Sequence, residues 1–310
     1  MNASPFQSRR LPILPIALSA VTALAAGTAL WVGRQARKAE HAHPPIGKFI
    51  DVDGVRLHYV ERGEGAPVVL LHGNTVLLQD FIASGLIDDL AQRHRVIAFD
   101  RPGFGFSERP RDRLWTAEAQ AALFSRAFTQ LGIEAPVVLG HSWGTLVALA
   151  LALDFPDQVR GLLLASGYFF PTARLDVALT APVAVPVLGD VLRYTVSPIF
   201  GRLSLKGVAK AMFAPCEVPQ QFFDMMSREM MLRPGQIGAN AEDAAFMIPA
   251  AQEFDGRYHE LRMPVTIVAG AEDKIVDPEA HSVRLHEAVV HSKLLVVPNT
   301  GHMVHYAVPD

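Results

Sequence analysis

Val137-Val138-Leu139-Gly140-His141-Ser142-Trp143-Gly144 decides how this chain is read. An apolar run of strand character passes at once into G-x-S-x-G and then into Thr145 to Leu153, a stretch of helix-forming composition. A serine on so sharp a strand-to-helix turn takes strained backbone angles, and neighbouring chains approach closely, so small residues are needed at Gly140 and Gly144. The turn lifts the hydroxyl clear of the sheet, near the positive end of a helix dipole that favours developing negative charge. The motif alone also arises as a simple loop. Its position between a strand and a helix makes Ser142 a candidate nucleophile.

Outward from this turn the pattern repeats. Val68 to Leu71, Val96 to Phe99, Gly161 to Ala165, Val265 to Ala269 and Leu294 to Val297 are short continuous apolar runs, the form taken by parallel strands buried on both faces. Ala117 to Leu131 reads as a helix capped by Thr116. Ahead of these, Phe49 to Tyr59 alternates apolar and polar residues around Asp53-Gly54, a dipeptide suited to a tight hairpin turn. Alternating strands and helices imply an α/β fold whose mostly parallel sheet is joined by right-handed crossovers, with an antiparallel pair at its start. The rhythm breaks between Tyr168 and Arg262, too long a gap for one crossover helix, and residues 168–262 are expected to form a helical cap. Its stretch from Met225-Met226 to Met230-Met231 is expected to pack, or to offer a pliable apolar wall to a ligand.

Composition narrows the function. Half of the 310 residues are hydrophobic and 19% are charged, enough apolar surface for one large core. A net charge of −3 gives no field to gather nucleic acid, so a polyanionic substrate is not expected. The single cysteine, Cys216, excludes an internal disulfide and a Cys-rich metal site, and it is expected to be inert and half-buried. Leu11 to Gly33 runs without a charge over 23 residues. As a helix it would span about 34 Å against a hydrocarbon core of about 30 Å. A single-pass membrane anchor is therefore expected, with Arg34 to Gly47 as a linker completing residues 1–47. The rival is a cleaved signal peptide, with Arg9-Arg10 as its basic start and Ala23-Leu24-Ala25 as its cleavage site, which would leave a secreted or periplasmic protein. Basic residues on both flanks leave the orientation open.

From about Phe49 to the end the chain resembles the α/β-hydrolase superfamily. Ser142 matches its nucleophile, Val265-Thr266-Ile267-Val268-Ala269-Gly270-Ala271-Glu272-Asp273 matches the strand and turn of its acid, and Val296-Val297-Pro298-Asn299-Thr300-Gly301-His302 matches its histidine loop. The resemblance implies an eight-stranded sheet with helices on both faces, built from residues 48–167 and 263–310. It also implies a catalytic triad of Ser142, Asp273 and His302. Glu272 or Asp277 could replace Asp273 as the acid, and His305 competes with His302. The oxyanion hole is expected from the main-chain N–H groups of Trp143 and Asn74, the latter following His72-Gly73. His72 is expected to be structural, His281, His286 and His291 to lie on the surface, and Asp100-Arg101-Pro102-Gly103-Phe104-Gly105 to fix a turn without chemistry.

Two departures qualify the resemblance. Asn74 and Trp143 look like the pair that cradles halide in haloalkane dehalogenases, but those enzymes use an Asp nucleophile, and a serine would leave no easily hydrolysed ester with an alkyl group. The chain also stops eight residues after His302, where family members usually continue into a last helix, so that loop is expected to be under-supported or the chain truncated. The expected function is a serine hydrolase cleaving a small or medium apolar ester through an acyl-enzyme, without metal or organic cofactor. Carbon–carbon bond hydrolysis, lactone opening, perhydrolysis and a non-catalytic, membrane-tethered binding protein remain as alternatives.

Overall fold

The computed structural model describes residues 13–307. Asp53 and Gly54 take positive φ values of 52° and 75° and fold β1 (Lys48–Val52) back on β2 (Val55–Arg62), so that Val52 faces Val55. Six further strands follow: β3 (Ala66–Leu71), β4 (His94–Phe99), β5 (Val137–His141), β6 (Gly161–Ala165), β7 (Val265–Gly270) and β8 (Lys293–Val297). The sheet order is β1-β2-β4-β3-β5-β6-β7-β8, antiparallel across the first two pairs and parallel thereafter. Val68 to Leu71 and Val96 to Phe99 are wholly buried, because helices cover both faces.

A long helix, α1 (Ile13–Ala42), precedes the sheet, and two short ones, α2 (Gln79–Ala83) and α3 (Leu86–Leu90), follow β3. The crossover helix α4 (Ala117–Leu131) starts where the Thr116 hydroxyl accepts the Ala119 N–H at 3.2 Å, and it stops at Gly132, with φ 60°. Helix α5 (Gly144–Asp154) is buried from Gly144 through Leu153, packed between α4 and the sheet, which is why no polar face shows in its sequence.

Between β6 and β7 the chain forms α6 (Leu175–Ala184), α7 (Leu188–Tyr194), α8 (Val196–Phe213), α9 (Gln220–Met225), α10 (Arg228–Met231) and α11 (Pro234–Asp255); α12 (Arg284–Ala288) precedes β8. Met226, Met230 and Met231 are buried in one apolar cluster with Val76, Leu77 and Met303, so the insertion packs on the loops after β3 and β8.

The N-terminal segment differs from expectation. Among the described residues no single helix is long and apolar enough to cross a membrane. Leu11 and the basic pair Arg9-Arg10 lie outside the described residues. The linker expected at Arg34 to Gly47 is instead helical through Ala42 and docked on the insertion. Val32 and Ala39 are buried, Glu40 pairs with Arg233 at 2.9 Å, and the Arg202 guanidinium lies 5.0 Å from the Trp31 ring. Charged residues that suggest a free linker sit on the outer face of a helix whose small apolar residues face inward.

Candidate active site

Ser142 has φ 53°, and its N–H is held by the Ala165 carbonyl of β6 at 2.9 Å. The flanking glycines are required by space. A Cβ at Gly144 would stand 2.2 Å from the Leu71 carbonyl oxygen, and one at Gly140 2.5 Å from that of Gly144. The serine therefore sits half-buried on the rim of the sheet, at the start of α5.

His302 Nε2 lies 2.9 Å from Ser142 Oγ, and His302 Nδ1 lies 2.8 Å from Asp273 Oδ2. The other Asp273 oxygen accepts the N–H groups of Ile275 and Val276 at 2.8 and 2.9 Å, which fixes the carboxylate facing the imidazole. The competing groups are engaged elsewhere. Glu272 accepts the Thr300 N–H at 2.9 Å, Asp277 accepts that of Ala280 at 2.8 Å, and His305 pairs with Asp80 at 2.9 Å.

The His302 loop, expected to lack support, is braced from below. His141 Nε2 donates to the His302 carbonyl at 3.1 Å, and the His302 N–H donates to the Met212 carbonyl at 2.9 Å. Just beyond, buried Asp80 accepts from His305 Nε2 and from the Tyr306 hydroxyl at 2.9 and 2.8 Å. Asp80, His141 and His305 also bring their donor atoms within 4.8 Å of one another, the spacing of a metal site. Both Asp80 oxygens are already occupied, so the group acts as hydrogen-bonded bracing. Burial, reinforced by the His305 and His302 rings, holds the His141 pKa well below its usual value and the ring neutral.

The main-chain N–H groups of Asn74 and Trp143 find no acceptor among the described residues, as an oxyanion hole requires. Their side chains, by contrast, are occupied. The Trp143 indole N–H donates to the Asp243 carbonyl at 2.7 Å, and the Asn74 amide donates to the Asn240 carbonyl at 3.4 Å, both on α11.

Arg101 organises this region, a role not expected of it. The fully buried guanidinium bonds directly to Asp243, to the His72 carbonyl at 2.7 Å and to Asn74 Oδ1 at 2.7 Å, and it stacks 4.5 Å from the Trp143 ring. Its main-chain N–H is received by His72 Nε2 at 3.0 Å. Burial and the Arg101 charge bring the His72 pKa down to about 4, consistent with that acceptor role.

Two further expectations are corrected. His281 is buried rather than superficial: its Nδ1 accepts the Phe169 N–H at 3.0 Å beneath the loop that follows β6. Cys216 is exposed rather than half-buried, with its thiol 3.1 Å from the Asn299 carbonyl. A cavity of about 860 Å³ between α1, the loop after β4 and α11 is lined by Arg109, Arg193, Arg233 and Glu242, and none of Ser142, Asp273 and His302 reaches it.

Residues 66–307 match the family model described as alpha/beta hydrolase fold. The chain belongs to this family. Haloalkane dehalogenase 2 of Mycobacterium tuberculosis is 31% identical over 49% of this chain, and the match spans about half of that enzyme, 53%. The 2-hydroxy-6-oxo-2,4-heptadienoate hydrolase of Pseudomonas putida is 27% identical over 84% of this chain and 90% of its own length. Among solved α/β-hydrolase structures, a thermophilic esterase from Thermogutta terrifontis superimposes with a TM-score of 0.67 at 23% identity, covering 84% of this chain and 93% of that one. An enol-lactonase from Burkholderia xenovorans gives 0.68 at 19%, over 83% and 93%. At these identities the structural likeness speaks for the fold alone.

Proposed function

We propose that this chain is a serine hydrolase that cleaves a small or medium apolar ester through an acyl-enzyme. The observation that carries the reading is the relay of Ser142 Oγ, His302 Nε2 and Asp273, with separations of 2.9 and 2.8 Å. A serine hydroxyl is a poor nucleophile at neutral pH, so His302 takes its proton as Oγ attacks the acyl carbon and returns it to the departing alcohol. Water then enters by the same route, giving its proton to His302 while its oxygen attacks the acyl-enzyme, and the acid leaves as Ser142 recovers its hydrogen. Asp273 keeps the proton of neutral His302 on Nδ1 and stabilises the transient imidazolium. The Asn74 and Trp143 N–H groups receive the oxyanion. The scheme uses no metal or organic cofactor.

The dehalogenase relative does not carry its reaction across. Ser142 stands where a carboxylate nucleophile would be needed, and the Asn74 and Trp143 side-chain N–H groups that would hold halide are given to α11. Carbon–carbon bond hydrolysis on the same residues is the second reading, favoured by the kinship with the heptadienoate hydrolase. The test is fluorophosphonate labelling followed by a nitrophenyl ester chain-length series. Labelling of the parent that vanishes in Ser142→Ala, with turnover of short to medium acyl chains, is the expected result. A folded parent that takes no label sinks the reading.

A further inference from the structure

Large apolar side chains on the surface of a globular chain are ordinarily scattered singly. Here, of the 22 that are exposed among the described residues, 11 fall within residues 175–203 of the insertion. Residues 175–205 contain four charged side chains in total, Asp176, Asp190, Arg193 and Arg202. Asp190 is held by Arg111 and Arg193, and Arg202 by Glu229. Three of the four charges are thus paired, and the face is predominantly apolar.

Helix α8 shows how it is built. Pro198, Ala209, Met212 and Phe213 are buried against the protein, as an amphipathic helix requires. The opposite side is apolar as well. Val196, Ile199, Phe200 and Leu203 follow one another at helical spacing, Phe200 and Leu203 being 68% and 80% exposed, and the same stripe ends in exposed Lys206 and Lys210. The patch continues onto α1 through the Arg202–Trp31 contact, and Val21, Leu24 and Leu30 of α1 are exposed. There too the apolar residues give way to exposed cations, Leu30 being followed at four-residue spacing by Arg34 and Lys38. Val177–Ala184 and Leu188–Tyr194 together have the length and apolarity of a membrane-crossing segment, but the pair is bent by 106°. A segment so bent fits one lying within a single leaflet rather than one crossing a bilayer.

We propose that the outer face of α6 to α8, extended along α1, docks into one leaflet of an anionic lipid bilayer, with Lys206, Lys210, Arg34 and Lys38 at headgroup level. An apolar body bordered by long cationic side chains is complementary to acyl chains beneath anionic headgroups. A second copy of the chain is the poorer fit, because it could cover the apolar stripe but its own α8, residues 196–210, carries no acidic side chain to meet the cations at the stripe's end. The docking does not depend on the reaction catalysed.

The full chain is sedimented with vesicles of phosphatidylcholine alone and of phosphatidylcholine mixed with phosphatidylglycerol. Binding to both, tighter to the mixture, is expected. Leu179→Glu/Phe200→Glu/Leu203→Glu should weaken it by about tenfold or more. Val290→Glu, at an exposed position beside β8, should not, and Lys206→Glu/Lys210→Glu should remove the preference for the anionic mixture. Thermal unfolding midpoints show that each variant is folded. A bimane label on Leu203→Cys in a Cys216→Ser background supplies a readout that the N-terminal segment cannot mimic: brominated lipid should quench it. Absent quenching, an unchanged partition of the triple variant, or a vesicle-independent dimer that the triple variant dissolves would each overturn the proposal.

Discussion

The indole N–H of Trp143 donates to the main-chain carbonyl of Asp243 at 2.7 Å, joining the turn that carries Ser142 to the middle of α11. The residue after the nucleophile thus has two donors with separate tasks: its side chain is committed to the scaffold, and its main chain is left open. Trp143→Phe retains an aromatic ring and the open main-chain N–H while removing the structural bond together with the buried pyrrole half of the indole. Stability is expected to fall by about 2–3 kcal/mol in urea unfolding, about 1 kcal/mol from the lost bond, since the Asp243 carbonyl keeps its place in a helix, and the rest from the smaller side chain at a buried site. Turnover of a nitrophenyl ester should stay within about threefold of the parent, an interval worth well under 1 kcal/mol. A much larger loss in kcat would mean that the indole itself serves the substrate.

Arg101 and Asp243 are both fully buried, 142 residues apart in sequence, with Arg109 3.0 Å from the second Asp243 oxygen. Removing one member leaves the other undercompensated: without Arg101, Asp243 keeps Arg109 and the Gln120 amide, and without Asp243, the Arg101 guanidinium keeps only neutral acceptors such as the His72 carbonyl. Arg101→Met is expected to cost about 3–5 kcal/mol. Arg101→Met/Asp243→Leu should cost less than the sum of the two single changes, because the double variant leaves no undercompensated carboxylate. Additive effects in a denaturation cycle would show that the pair is uncoupled.

These two residues mark where the sequence stops being readable. Strands β3 to β8 stand out because burial on both faces produces continuous apolar runs, and the start of α4 follows from one hydroxyl at Thr116. The turn at Ser142 is legible because its geometry admits glycine and little else on either side. Arg101, Asp243 and Asp80 are not, since a charged residue is ordinarily solvated and its partner here is set by the tertiary fold. The same limit hid His281 beneath the loop after β6. The stretch from Arg34 to Ala42 misleads in the other direction, because a polar composition suits the outer face of a docked helix as well as a linker.

Acid sensitivity follows from the buried histidines. Burial, then the Arg101 charge, lowers the His72 pKa to about 4; burial, then the Arg174 charge, lowers that of His281 to about 4; and His141 moves the same way. Unfolded, each returns to about 6.5 and binds a proton more readily than in the native state. Between those values the unfolded chain holds more protons, so stability rises with pH. The contribution is present in full above about pH 6.5 and is lost as pH falls toward 4, with His72 alone accounting for something on the order of 3 kcal/mol. Urea midpoints should therefore drop between about pH 7 and about pH 4.5, less steeply in His281→Gln. A flat profile would mean that these rings are hydrated or paired in solution.

Asp273 divides its two oxygens between two jobs, and an amide can do only one of them. Asp273→Asn can keep a carbonyl oxygen toward the Ile275 and Val276 N–H groups, so the fold should survive with an unchanged circular dichroism spectrum. The amide nitrogen would then face His302 Nδ1, where a donor meets a donor unless the imidazole gives up its Nδ1 proton. The alternative tautomer places hydrogen on Nε2, toward Ser142, and a nitrogen already protonated there cannot accept the hydroxyl proton. Turnover should fall by about 10⁴-fold at neutral pH, with fluorophosphonate labelling slowed in parallel. Recovery of activity at higher pH would further support the tautomer account, because hydroxide can take the serine proton when the imidazole does not. Near-parental rates at neutral pH would instead assign the acid to another carboxylate and leave the Asp273 contact purely structural.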